Sequence, residues 1–105
     1  MGNRLGQFEE FILLALVRLG ENAYGAAIRR EIADRTGRDV SVGAVYATLD
    51  RLERKGFVSS WIGEATPERG GRAKRYFKIE ATGATALREV TRAAISLSEG
   101  LVHAS

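Results

Sequence analysis

Up to Gly56 apolar residues recur at spacings of three and four; from Phe57 the pattern turns β-like, and after Ala81 the helical spacing returns. That succession is the strongest constraint on the fold. It asks for three helices, a hairpin and a last helix in one chain of 105 residues, enough for a single core but not for two. The turning point is the stretch from Ser41 to Gly56, SVGAVYATLDRLERKG. It opens on an N-cap residue, closes on a basic last turn and a glycine, and carries one apolar stripe of Val42, Val45, Leu49 and Leu52. Ala44, Ala47, Thr48, Arg51 and Lys55 are expected on the opposite, open face, with Tyr46 on the flank. Small side chains early and cations late suit a helix that approaches another molecule closely, and the major groove of DNA accepts such a helix.

The two stretches before it read as helices as well. Leu5 to Leu19 carries a stripe of Leu5, Phe8, Phe11, Ile12, Ala15, Leu16 and Leu19, while Leu13, Leu14 and Val17 are expected on the other side. A helix apolar nearly all round is covered nearly all round. The cover is either a second copy of the chain or its own C-terminal helix. Tyr24 to Arg35 forms the next helix, and the polar turn Thr36-Gly37-Arg38-Asp39 joins it to Ser41 as a helix-turn-helix.

Phe57-Val58-Ser59-Ser60-Trp61-Ile62 and Ala73 to Ile79 are rich in β-branched and aromatic residues and read as two strands of an open hairpin. The tip between them contains Pro67 and the pair Gly70-Gly71. A helix-turn-helix followed at once by a hairpin is a winged helix, a more specific pattern than the helices alone. The fold class is therefore mainly α (α+β), a winged helix-turn-helix over residues 1–80, with a C-terminal helix for dimerisation over 81–105 in the same compact unit. On that last helix Gly83, Ala86, Leu87, Val90, Ala94, Leu97 and Leu101 share a stripe.

Between Arg69 and Lys78 lie five cations (Arg69, Arg72, Lys74, Arg75 and Lys78) and no acid. They are placed to lie along phosphates or in a minor groove, although edge strands also use such charges to prevent sheet-to-sheet pairing. Tyr46 offers its hydroxyl to a phosphate or serves packing only, and Trp61 reads first as a packing residue. The formal net charge of +3 is mild, so charge distribution matters more than its total. Cysteine is absent, which excludes disulfides and thiolate metal sites. No leader segment is apparent, the run Phe11 to Leu19 is too short to span a bilayer, and the cytoplasm is the default location. No paired catalytic constellation occurs: His103 is alone, and Gly70-Gly71 lacks the Lys and hydroxyl of a P-loop. The reading therefore calls for no enzyme, no cofactor and no metal. The rival readings are a winged-helix module that binds protein and an architectural binder blind to sequence.

FILLALVRLGENAYGAAIRREI, SVGAVYATLDRLERKGFVSS and GGRAKRYFKIEATG together resemble the PadR-type family of bacterial transcriptional regulators over most of residues 5 to 90. The resemblance implies a winged helix that dimerises through its C-terminal helix against the partner's first helix. It also implies a roughly palindromic operator in double-stranded DNA, usually bound as a repressor. The functional positions it carries over are Ser41, Tyr46 and Arg51 on the third helix and Arg72, Lys74 and Arg75 on the wing. Leu13, Leu14, Val17, Leu87, Val90, Ala94, Leu97 and Leu101 would form the dimer contact. Some relatives bind a small, flat hydrophobic effector between subunits; here Trp61, Phe8 and Phe11 are the aromatic candidates for lining such a cavity. Two departures stand out. Ala73 replaces the proline that often follows Gly-Arg in the wing, and Ile79-Glu80-Ala81-Thr82-Gly83 replaces the usual Leu-Thr-Pro-x-Gly, which weakens the start of the last helix unless Thr82 caps it instead.

Overall fold

The computed structural model describes residues 5–63 and 73–101. In chain order these form α1 (Gln7–Leu19), a 3₁₀ turn (Gly20–Asn22), α2 (Gly25–Thr36), α3 (Val42–Arg54), β1 (Val58–Ile62), β2 (Arg75–Ile79) and α4 (Ala81–Ser98). The strands pair antiparallel, with Val58 opposite Ile79, Ser60 opposite Phe77 and Trp61 opposite Tyr76. Side-chain alternation puts Phe77 and Arg75 on the face toward α3, and Tyr76 and Lys78 on the other.

The core is made of Ile12, Leu13, Leu16, Ile28, Ile32, Val45, Leu49, Leu52, Phe57, Val58, Phe77 and Leu87. α1 runs through its middle and touches α2, α3, β2 and α4. That central position decides the burial of its second side. Leu13, expected to face a partner, is fully buried in the protomer's own core, whereas Leu14 and Val17 are 39% and 56% exposed. Leu87 is likewise taken up within the chain, being only 8% exposed. Both leave the set of surfaces available for dimerisation.

Short-range rules account for most helix ends. Ser41 caps α3, its Oγ accepting from the Ala44 N–H at 3.0 Å. Gly37 closes α2, its N–H bonding the Ala33 carbonyl at 2.9 Å. α1 begins on the half of a capping box that a glycine cap allows, Glu9 Oε1 accepting from the Gly6 N–H at 2.9 Å. Of the two alternatives for the start of α4, the uncapped one holds. Glu80 occupies the cap position without a side-chain cap bond, and Thr82 instead donates from Oγ1 to the Gly56 carbonyl at 2.7 Å. The Glu80 N–H bonds the Phe57 carbonyl at 2.8 Å, and the Ser59 hydroxyl bonds the Glu80 carboxylate. The last helix is thus tied to the residues that leave α3.

One pairing has no sequence signal. Tyr24 bridges Tyr76, and the Phe77 N–H bonds the Ala23 carbonyl at 2.9 Å, so the link between α1 and α2 flanks the hairpin as a stub of a third strand. Beyond Val90 the side chains of α4 are exposed apart from the half-buried Thr91, with Ile95 at 57% and Leu97 at 82%. Among the described residues no helix is long and apolar enough to cross a membrane.

Candidate nucleic-acid interface

α3 is packed on three sides by α1, α2 and β1, so its buried arc is wider than a four-residue stripe. Val45, Thr48, Leu49 and Leu52 are buried, while Val42 at the helix start is 39% exposed. Thr48, expected on the open face, is only 3% exposed and accepts a hydrogen bond from Arg51 Nη2 at 3.3 Å. It therefore cannot reach a ligand directly. The face that remains open carries Gly43, Ala44, Ala47, Arg51 and Arg54. Arg54 is the functional candidate that the apolar stripe alone failed to bring out, although a helical wheel centred on Ala47 includes it.

The flank of this face is fixed by Tyr46. Its ring fills the slot over Gly25 and lies 6.1 Å from the Phe77 ring. A Cβ on Gly25 would stand 2.5 Å from the Tyr46 ring, so only glycine lets α2 begin this close to α3. Tyr46 thus packs as well as borders the open face, and it is half-buried.

The cations divide into held and open. Lys55 Nζ lies 3.1 and 3.3 Å from the two Glu9 oxygens, so it turns into the junction of α1 and α3. Arg51 Nε also meets Glu9, at 3.6 Å. Burial raises the Glu9 pKa, but the Gly6 N–H, Lys55 and Arg51 outweigh it and hold the carboxyl below its ordinary value. Arg75 faces α3: its Nη2 bonds Glu53 at 2.8 Å, its Nε bonds Ser60 at 3.2 Å, and Asp50 lies at 3.7 Å. A phosphate contact there would compete with two carboxylates. Lys74, on the outer side of the hairpin, rests its ammonium 4.1 Å from the Tyr24 ring centroid. Arg69 and Arg72 lie outside the described residues.

Arg38, in the turn before α3, was not among the sequence candidates. Its guanidinium lies 5.7 and 5.4 Å from the ring centroids of Phe8 and Phe11, and Nη1 reaches Gln7 at 3.3 Å. Phe8 and Phe11 therefore form a shelf for a cation, and the groove beside Trp61 is lined without them. Trp61 stacks on Tyr76 with ring centroids 5.6 Å apart, beside an open groove of about 760 Å³ that Leu16, Val17 and Ile79 also line.

Small residues, then arginines, on the one open face of a capped helix beside a hairpin match the arrangement expected of a reading helix and its wing. The model of the Transcriptional regulator PadR-like family matches residues 13–89. The chain belongs to this family of transcriptional regulators. Comparison with curated proteins finds no match. Among solved structures, RosR of H. salinarum is 26% identical with a TM-score of 0.71, covering 93% of this chain and 81% of that one. A PadR family transcriptional regulator from Eggerthella lenta is 29% identical with a TM-score of 0.65, over 86% and 76% of the two chains. A PadR-like transcription factor from Bacteroides fragilis shares the fold at 24% identity and a TM-score of 0.71, over 95% and 91%. The PadR-like winged helix is thereby the fold of this chain.

Proposed function

We propose that this PadR-like regulator acts as a homodimeric repressor that binds a palindromic operator in double-stranded DNA. α3 enters the major groove and the wing lies along phosphates or in the adjoining minor groove. The observation that carries the reading is the open face of α3, where Gly43, Ala44 and Ala47 give the backbone close approach and Arg51 and Arg54 follow. Ser41 at the cap and Tyr46 on the flank stand where a backbone phosphate would pass, and Lys74 serves the wing. Arg75 and Lys55 contribute through their carboxylate partners more than through free charge.

The dimer contact draws on the apolar residues that the protomer leaves uncovered: Leu14 and Val17 on α1, Ile95 and Leu97 near the end of α4 and Leu101 just past it, exposed by 39, 56, 57, 82 and 62%. Val90 and Ala94 lie on the same helix between its docked and its free halves. In such a dimer two copies of α3 meet successive major grooves about 34–36 Å apart.

Selection of bound fragments from genomic DNA tests the reading. The recovered motif should have two-fold symmetry and bind far more tightly than a scrambled duplex at the same salt. Equal affinity for both would leave a binder blind to sequence, and no retardation at low salt would leave a protein-binding module. Leu97→Asp should give monomers by sedimentation and lose operator binding; a dimeric variant would move the interface elsewhere.

A further inference from the structure

Glu9 is the one buried charged residue among those described, with 7% of its surface exposed. It lies on α1, outside the helix-turn-helix proper, and its environment is built from both directions. Oε1 accepts from its own capping N–H at Gly6 at 2.9 Å, and Lys55 Nζ closes on both oxygens. A carboxylate held this firmly by Lys55 is in turn a fixed point for the second cation beside it, Arg51.

Among the described residues Arg51 is touched on one edge only. Nε lies 3.6 Å from Glu9 Oε2, an ion pair longer than a hydrogen bond, and Nη2 donates to Thr48 Oγ1 at 3.3 Å. Nε and Nη2 make up the side-on edge of a guanidinium. The end-on edge, formed by Nη1 and the second hydrogen of Nη2, has no partner among the described residues, and half of the side chain is exposed. A free arginine samples many rotamers and offers either edge. One braced along its side-on edge presents the other edge in a fixed direction, and two parallel donors from one edge are what the O6 and N7 of guanine accept.

We propose that Glu9, with Thr48, is a positioning residue for Arg51: it fixes the guanidinium so that its end-on edge reads a guanine in the operator. The inference rests on α3 being the reading helix, and it names the residue outside that helix on which base discrimination depends. Glu9 needs no contact with DNA. Its charge, next to an approaching phosphate, disfavours binding in general, so its benefit is confined to the choice of base.

The test measures discrimination, not affinity alone. The probes are a duplex selected by the wild-type chain, the same duplex with each G·C pair of the half-site changed in turn, and a scrambled duplex. Arg51→Ala should lose discrimination at one base pair per half-site by about tenfold or more. Glu9→Gln keeps an acceptor for the Gly6 N–H but drops the charge. It should lose roughly threefold or more at that same pair, a fraction of what a good bidentate contact supplies, with scrambled-duplex affinity unchanged or higher. Thr48→Val removes the second brace and should relax the same pair, which keeps the test open if Glu9→Gln folds poorly. If Arg51→Ala loses discrimination and neither brace variant does, Glu9 positions nothing and the inference fails while the reading helix stands. A uniform loss on all three classes of probe in Glu9→Gln would likewise reduce Glu9 to a stabilising role and overturn it. If Arg51→Ala changes discrimination at no position, the base-reading role of Arg51 falls, and this inference with it.

Discussion

Gly83→Ala is the sharpest test of how the last helix is seated. Gly83 is buried on α4 where that helix crosses the residues leaving α3, and a Cβ built on it would lie 2.3 Å from the Phe57 carbonyl oxygen and 3.0 Å from the Phe57 carbonyl carbon. Ordinary C···O approach is about 3.3–3.6 Å, so helix and carbonyl must part by roughly 1 Å. The obstacle is backbone, and the same carbonyl accepts the Glu80 N–H, so the parting strains that bond as well. Overpacking of this kind costs about 1–3 kcal/mol, and a weakened hydrogen bond adds up to about 1 kcal/mol. Alanine returns about 1 kcal/mol of helix propensity. The net is a loss centred on about 1.5 kcal/mol and reaching about 3 kcal/mol, and for a domain of this size the central value lowers Tm by roughly 6–12 °C. Thermal and urea unfolding followed by circular dichroism, at one fixed protein concentration, read it directly. Gly43→Ala is the control: its Cβ meets only Ser41 Oγ at 3.9 Å, so propensity acts alone and Tm should rise slightly. A Gly83→Ala protein as stable as the wild type would refute the close crossing of α4.

Other substitutions read other parts of the molecule. Ser41→Ala removes the acceptor of the Ala44 N–H and should cost about 1 kcal/mol in urea unfolding. Because the Glu9 carboxyl is held below its ordinary value of 4.5, the folded state favours its ionised form, and the stability that this supplies is complete above that value. The advantage of wild type over Glu9→Gln should therefore be full at neutral pH and shrink as pH falls below about 4.5 through the folded value; an advantage that persists unchanged into acid would contradict the pairing. Lys74→Ala should weaken binding to selected and scrambled duplexes alike and reduce the salt slope by about 1 per subunit. Arg75→Ala releases Glu53 and Asp50. The loss of a half-exposed pair costs folding at most about 1 kcal/mol, while two unpaired carboxylates beside α3 should lower affinity for every duplex.

What could be read from the chain beforehand followed the range of the forces involved. The cap of α3 is a contact over three residues, from Ser41 to Ala44, and it was legible. So was the order of helices and strands, because each element declares its own period. Burial of Thr48 was not: a single stripe assumes one packed side, and α3 touches several elements. For Leu13 the cover was legible from the second apolar side of α1, but not that the protomer itself supplies it. The fate of the wing cations was hidden for a related reason. Arg75 meets Glu53 across 22 residues, and nothing local announces that pair, although alternation along β2 does put Arg75 on the Phe77 face, toward α3, and Lys74 on the other. The stub at Ala23 and Tyr24 is too short to show any periodicity at all.

The same junction that Gly83 tests ties α3, the proposed reading helix, to α4, the proposed dimer helix, without a large interface between them. α3 ends at Arg54, and two of the next carbonyls, Gly56 and Phe57, both accept bonds from the start of α4, through Thr82 Oγ1 and the Glu80 N–H. Ser59 adds a third tie to Glu80. The bonds lie within one turn of α4, so a rotation of that helix strains them and loads the residues that follow α3. In the proposed dimer the separation of the two reading helices is then fixed by the pairing of the free ends of α4. In that proposed dimer a shift of the pairing reaches the groove contacts through these bonds, with no flexible linker between α3 and α4 among them.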